Sequence, residues 1–271
     1  MTKRNIYDIP RYIAHRGLHG SCGGMSPVIA ENTLPAFEKA IEHGFAIELD
    51  VRFTADRRMV VFHDKNLMRM CGCNIELNRL TYEELRKHSI PGTGEFDPRQ
   101  LWQIPRADTK GEAHIPLLSE VLKLVNGRVF LLIELKDCPE VPDAEKRLAH
   151  MLRQYRGEYA VQSFDPRSLM KLRLTAPEIM RGQLVSLTGS GSRRLAKEIA
   201  ASMPVWKGIS KPDLLSWDLR SVSIDSAFSA AELGAKLLTW TADSEELIST
   251  AETFSDAVIF ENIPLKYFTD I

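Results

Sequence analysis

The sequence predicts a (β/α)8 TIM barrel with a small insertion after the strand ending at His63. Strand-like and helix-like segments alternate along the chain, and eight strands counted from Tyr12 with intervening helices imply a closed parallel barrel. Four of the strand-like segments finish in ionisable residues, and that end carries the active site in parallel α/β architectures. The runner-up, a doubly wound open sheet, would lack a dinucleotide site, because no Gly-x-Gly-x-x-Gly follows any strand. A length of 271 residues allows a substantial core, and the chain reads as a single domain over 1–271 with an insertion at about 66–114.

The elements follow in order. Tyr12-Ile13-Ala14 is a short apolar strand leading into His15-Arg16-Gly17. Asn32 to His43 reads as a helix with an apolar stripe of Leu34, Phe37, Ala40 and Ile41, an N-cap at Asn32 and a closing Gly44. Strand Phe45–Arg52, the turn Ala55-Asp56-Arg57-Arg58 and strand Met59–His63 come next. From about 66 to 114 the rhythm breaks at Pro91-Gly92, Asp97-Pro98 and Ile104-Pro105, with one helix at Thr81–His88 opened by a Thr81/Glu84 capping box. Alternation resumes with helix Leu117–Val125, strand Arg128–Leu135, helix Asp143–Tyr155 and strand Tyr159–Ser163. Helix Pro166–Thr175, strand Ile179–Leu184 and helix Arg193–Ala200 continue it. Strands Leu214–Asp218, Lys236–Thr241 and Ala257–Phe260 finish the series, separated by helices Asp225–Leu233 and Ser244–Thr253.

Composition narrows the class. With 44% hydrophobic and 26% charged residues and a formal net charge of −1, the chain has no general attraction to nucleic acid or anionic lipid. No run approaches the roughly 18 apolar residues of a membrane span, and the first residues lack a signal-peptide core, so the expected compartment is the cytoplasm with no stable membrane insertion. Cys22, Cys71, Cys73 and Cys138 match no common zinc spacing and read as free thiols. The sequence does not determine an oligomeric state.

The chemistry concentrates in Ala46-Ile47-Glu48-Leu49-Asp50-Val51. Strand side chains alternate faces, so Glu48 and Asp50 point one way while Ile47, Leu49 and Val51 point the other. Two like charges buried side by side are costly unless a cation or a proton compensates them, which argues for a metal site. The alternative is the wet face of an edge strand, with Arg52 answering the carboxylates. Leu132-Ile133-Glu134-Leu135-Lys136 repeats the pattern, and Met59-Val60-Val61-Phe62 delivers His63-Asp64.

Taken together, His15-Arg16-Gly17, Glu31-Asn32-Thr33, Glu48-Leu49-Asp50, His63-Asp64 and Glu134-Leu135-Lys136 resemble the ordered motifs of the glycerophosphodiester phosphodiesterases. Gln162-Ser163-Phe164-Asp165 and Trp240-Thr241 extend the resemblance over nearly the whole chain. It implies a metal-dependent phosphodiester hydrolase acting on a small phosphodiester substrate, with glycerol 3-phosphate and an alcohol as products. By motif match, Glu48, Asp50 and Glu134 would hold one divalent ion, His15 and His63 would be the acid–base pair, and Arg16 and Lys136 would meet the phosphate. Glu31 and Trp240 would support the site. Three carboxylates without thiolates favour a hard cation, Mg²⁺ or Ca²⁺. Imidazole suits both proton transfers near neutrality. Zinc held by the two histidines is the alternative at the site. A phospholipid phosphodiesterase of lyase type releasing a cyclic phosphate, or a non-catalytic phosphodiester-binding protein, is the alternative in function.

The chain departs from the family pattern in three places. The connection from Leu18 to Ala30 is long, Ala30 stands where proline is usual, and Glu261-Asn262-Ile263-Pro264 replaces the usual Thr-Asp-x-Pro.

Overall fold

A computed structural model describes residues 9–20, 29–90, 113–188 and 202–269. Its strands are β1 (Tyr12–Ala14), β2 (Ala46–Phe53), β3 (Met59–Val61), β4 (Ser89–Ile90), β5 (Ala113–His114), β6 (Leu131–Leu135), β7 (Tyr159–Ser163), β8 (Met180–Val185), β9 (Leu214–Asp218), β10 (Lys236–Ala242) and β11 (Ala257–Phe260). Eight of them run parallel in the order β1-β11-β10-β9-β8-β7-β6-β2, and a β1–β2 pairing closes the ring. The helices Leu34–Glu42, Leu118–Val125, Ala144–Leu152, Pro166–Thr175, Ile224–Leu233 and Glu245–Glu252 alternate with them. This is the expected TIM barrel. The predicted helix Arg193–Ala200 lies outside the described residues.

The segments named from the sequence number nine rather than eight, and one of them, Met59–His63, does not belong to the barrel. β3 pairs antiparallel with β2, Val51 opposite Val61 and Phe53 opposite Met59, so it folds back outside the ring. The cause is the short turn after Phe53, where Arg57 adopts a left-handed φ of 58° and its N–H donates to the Thr54 carbonyl at 2.9 Å. His63 therefore leaves a descending strand, unlike the groups at the parallel strands' C-terminal exits. The Phe62 N–H donates to the Asp50 carbonyl at 2.9 Å, which brings the imidazole back to the level of the β2 exit.

Two apolar layers flank the sheet. Outward residues such as Ile47, Leu49, Val51, Ile133 and Val161 pack with Phe37, Leu118, Val121, Leu148 and Leu169 of the helices. Inward residues Ile13, Ala46, Leu132, Ala160, Leu214, Leu238 and Ile259 fill the barrel's lower interior. Past the barrel, short helices Met68–Cys71 and Tyr82–Leu85 and the antiparallel β4–β5 ribbon enclose a small core with Phe62, Leu67, Leu77 and Ile115. The predicted Thr81/Glu84 capping box is present, although the helix it opens is one turn long.

Candidate active site

Each inward-facing stripe of the barrel changes character near its C-terminal end. Ile13 is followed two residues on by His15, Ala46 by Glu48 and Asp50, Leu132 by Glu134, Ala160 by Gln162, and Ile259 by Glu261. Register then assembles them. Asp50 lies opposite Glu134, and Glu134 lies opposite Gln162. Glu48, Asp50 and Glu134 are all buried and offer carboxylate oxygens within 4.8 Å of one another. β2 is central to the closed ring, so the reading of a wet edge face does not hold. Arg52 is turned away as well, its Nε donating to the His63 carbonyl at 2.7 Å.

The cations answering the carboxylates are Lys136 and Arg16. Lys136 Nζ sits 2.8 Å from Asp50 Oδ1 and 2.7 Å from Glu134 Oε1. Arg16 Nε is 3.3 Å from Asp50 Oδ2, its Nη1 donates to Glu31 Oε1 at 2.7 Å, and its backbone N–H donates to Glu48 Oε2 at 3.2 Å. Burial opposes the charge on Asp50, yet Lys136 and Arg16 hold its carboxyl below the ordinary range. Burial, Asp50 and Glu134 together push the Glu48 carboxyl well above it. Glu134 is also raised by burial, with Lys136 working against the shift. Three carboxylates face two cations here, and the surplus negative charge weighs on Glu48. A divalent ion would relieve that surplus, so the donor set fits one hard cation.

A local backbone device sets Arg16 in place. Arg16 and Gly17 both have left-handed φ, 55° and 81°. A Cβ on Gly17 would lie 2.9 Å from Ala36 and Phe37, so only glycine fits where the loop crosses the first helix. Asn32 also departs from expectation. The helix begins at Leu34 with Thr33 at the N-cap position, and Asn32 instead adopts φ 56°. Its buried Nδ2 donates to Asp50 Oδ2 at 2.8 Å, which orients the carboxylate rather than capping the helix.

The two histidines carry similar partners. His15 Nδ1 lies 2.6 Å from Glu261 Oε2, and His63 Nδ1 lies 2.6 Å from Asp64 Oδ1. Burial pushes the His15 imidazole below its ordinary value, while the Glu261 hydrogen bond works the other way. Arg69, from the segment beyond the barrel, donates to Asp64 at 2.7 Å and to Glu31 through both terminal nitrogens at 2.8 and 2.6 Å. Glu31 thus holds Arg16 on one side and Arg69 on the other. Sequence reasoning gave Arg69 no role and met Glu261 only as a departure from the family pattern, because Glu31 and His15 lie 38 and 246 positions away from them. Among the described residues the potential ligand atoms form two groups, the carboxylates Glu48, Asp50 and Glu134 and, apart from them, His15 with His19 and Glu261; His63 joins neither.

His15, Arg16, Glu48, His63, Glu134 and Lys136 line a cleft of about 230 Å³, and Phe164, Leu184, Trp240 and Ile259 supply the apolar part of its lining. Trp240 Nε1 donates to the Ser216 carbonyl at 2.8 Å, and its ring meets Phe164 edge-on at 5.8 Å between centroids. Of the remaining histidines, His43 stacks on Phe45, His88 contacts Cys73 and His150 contacts Gln154, all away from the cleft. Cys71 and Cys138 are free thiols, the Cys73 sulfur lies 3.4 Å from His88 Nδ1, and Cys22 lies outside the described residues.

The pattern of the glycerophosphoryl diester phosphodiesterase family matches residues 15–264, the interval that contains every group described above. The chain belongs to that family. A glycerophosphodiester phosphodiesterase of Caldanaerobacter subterraneus is 30% identical over 241 residues, covering 86% of each chain. The YhdW protein of Bacillus subtilis is 35% identical over 170 residues, and that match spans 62% of its own length. In fold, the chain is similar to a phosphodiesterase of Oleispira antarctica solved with the product sn-glycerol-3-phosphate, with a TM-score of 0.70, 23% identity and 96% of each chain covered. The family is one of phosphodiesterases, and no helix among the described residues is long and apolar enough to cross a membrane.

Proposed function

We propose that this protein hydrolyses glycerophosphodiesters to glycerol 3-phosphate and an alcohol, using one divalent cation and the histidines His15 and His63. The observation that carries the reading is a single cleft lined by two imidazoles, two carboxylates of the buried cluster and two cations. Glu48, Asp50 and Glu134 would hold Mg²⁺ or Ca²⁺, which when bound offsets negative charge on the phosphoryl group. Arg16 offers a planar donor fork and Lys136 a point charge to the phosphate oxygens. His15 accepts the proton of the attacking water as its oxygen bonds to phosphorus. His63 protonates the alkoxide as the phosphorus–oxygen bond to the alcohol breaks. Glu31 supports Arg16, and Trp240 with Phe164 forms the wall available to the alcohol. The whole chain, 1–271, acts as a single barrel domain with 66–114 as its insertion, in the cytoplasm.

Phosphorus NMR of the products tests this directly. With glycerophosphocholine and Mg²⁺ or Ca²⁺, the expected product signal is glycerol 3-phosphate, and chelation abolishes it. A cyclic phosphate would replace hydrolysis by the lyase-type reaction, and tight binding without turnover would make the protein a sensor.

A further inference from the structure

Glu261 is the first residue beyond β11, the strand that lies beside β1 in the ring. Ala14 and Phe260 are register partners, and the His15 N–H donates to the Phe260 carbonyl at 2.9 Å, so His15 and Glu261 leave adjoining strands at the same level. The Glu261 N–H in turn donates to the Ala242 carbonyl at 3.0 Å, which ties its backbone to β10. Its carboxylate therefore has a fixed origin. From there Oε2 reaches His15 Nδ1 at 2.6 Å and stands 3.6 Å from His19 Nε2. A carboxylate only accepts, so Nδ1 of His15 carries the hydrogen of this bond, and in the neutral ring that leaves Nε2 with the lone pair. That second nitrogen lies 4.0 Å from Glu48 Oε2, on the side of the carboxylate cluster.

We propose that Glu261 is a positioning residue: it selects the Nδ1–H tautomer of His15 and aims Nε2 into the cleft as the proton acceptor. The proposal rests on the acid–base reading of His15 given above. Its logic is that of the base-orienting carboxylates of other hydrolases, where the carboxylate fixes the tautomer and stabilises the imidazolium without taking its proton. During the reaction one proton passes from the attacking water to Nε2, while the Nδ1 hydrogen stays on the ring and remains bonded to Glu261. Burial disfavours charge on Glu261, but the bonds from His15 and His19 outweigh it and keep the carboxyl below its ordinary range. His63 has its own neighbour, Asp64, for the same purpose. For His15 no adjacent residue serves, and the orienting group comes from 246 positions away, at one of the three places where the chain departs from the family pattern.

The test compares Glu261→Gln, Glu261→Asp and His15→Gln in the cation-loaded enzyme. Steady-state kinetics, thermal unfolding and nitrogen-15 NMR of the imidazoles are measured, with the His15 signals assigned by their loss in His15→Gln. Glu261→Gln is expected to lower kcat by about 10- to 100-fold, less than the roughly 10²–10⁴-fold of losing an acid–base group outright. KM and the unfolding temperature should change little, the His15 signals should move from one tautomer to a mixture, and Glu261→Asp should recover part of the rate. Native kcat in Glu261→Gln, or a His15 tautomer that does not respond, overturns the positioning role. If His15→Gln keeps full turnover, the acid–base reading falls instead, and the tautomer measurement tells the two failures apart.

Discussion

The same eight strands build two inward layers of opposite character. Lower in the barrel, Leu132, Leu214, Leu238 and Ile259 are buried, apolar and in mutual contact. Two residues further along the chain from these stand Glu134, Ser216, Trp240 and Glu261, and beside them Glu48 and Asp50. The lower layer favours folding through the area it removes from water. Burial in the upper layer penalises charge, visibly so at Glu48, whose carboxyl is pushed well above its ordinary range. The difference teaches where stability and chemistry reside. Substitutions below should cost stability and spare turnover, and substitutions above should do the reverse.

The largest effect on turnover is expected at the histidines. His15→Ala and His63→Ala should each lower kcat about 10²–10⁴-fold with unfolding temperatures near the native value. The double variant should lose far less than the product of the two, because groups acting as a unit are not additive. A smaller loss is expected from Asn32→Gly, which accepts the left-handed φ of 56° but removes the donor to Asp50. Calorimetric titration should show divalent-cation affinity weakened by about 10- to 100-fold, as for other groups that orient a ligand. Smallest on turnover, and largest on stability, is Leu214→Ala in the lower layer. Denaturant unfolding should show a loss of about 2–5 kcal/mol, with kcat per folded molecule unchanged. A stable but inactive Leu214→Ala would break the division between the layers.

Much of this was legible in the chain because it is written in local patterns. Alternation in Ala46–Phe53 placed Glu48 and Asp50 on one face, and the recurrence of Glu134 and Lys136 two apart placed a second pair at the neighbouring exit. What escaped depends on geometry set elsewhere. The polarity of Met59–Val61 follows from a tight turn rather than from its own residues, which look like any buried strand. Asn32 resembles an N-cap by position, and only the approach of Asp50, 18 residues on, gives it another partner. Arg69 and Glu261 act across 38 and 246 positions, distances at which no spacing rule operates. The replacement of the usual Thr-Asp-x-Pro by Glu261-Asn262-Ile263-Pro264 was the one local sign of the latter.

The decisive measurement is the thermal stability of native protein and Glu48→Gln, each with a chelator and with saturating Mg²⁺ or Ca²⁺. A ligand present at about 100 times its Kd stabilises a fold by roughly 2.7 kcal/mol. The cation should therefore raise the native unfolding temperature clearly and that of Glu48→Gln little or not at all. In chelator the variant should be at least as stable as the native protein, because it no longer buries a surplus carboxylate. Equal stabilisation of both proteins by the cation, or a variant that is less stable in chelator, would contradict the assignment of the upper layer to a metal-dependent function.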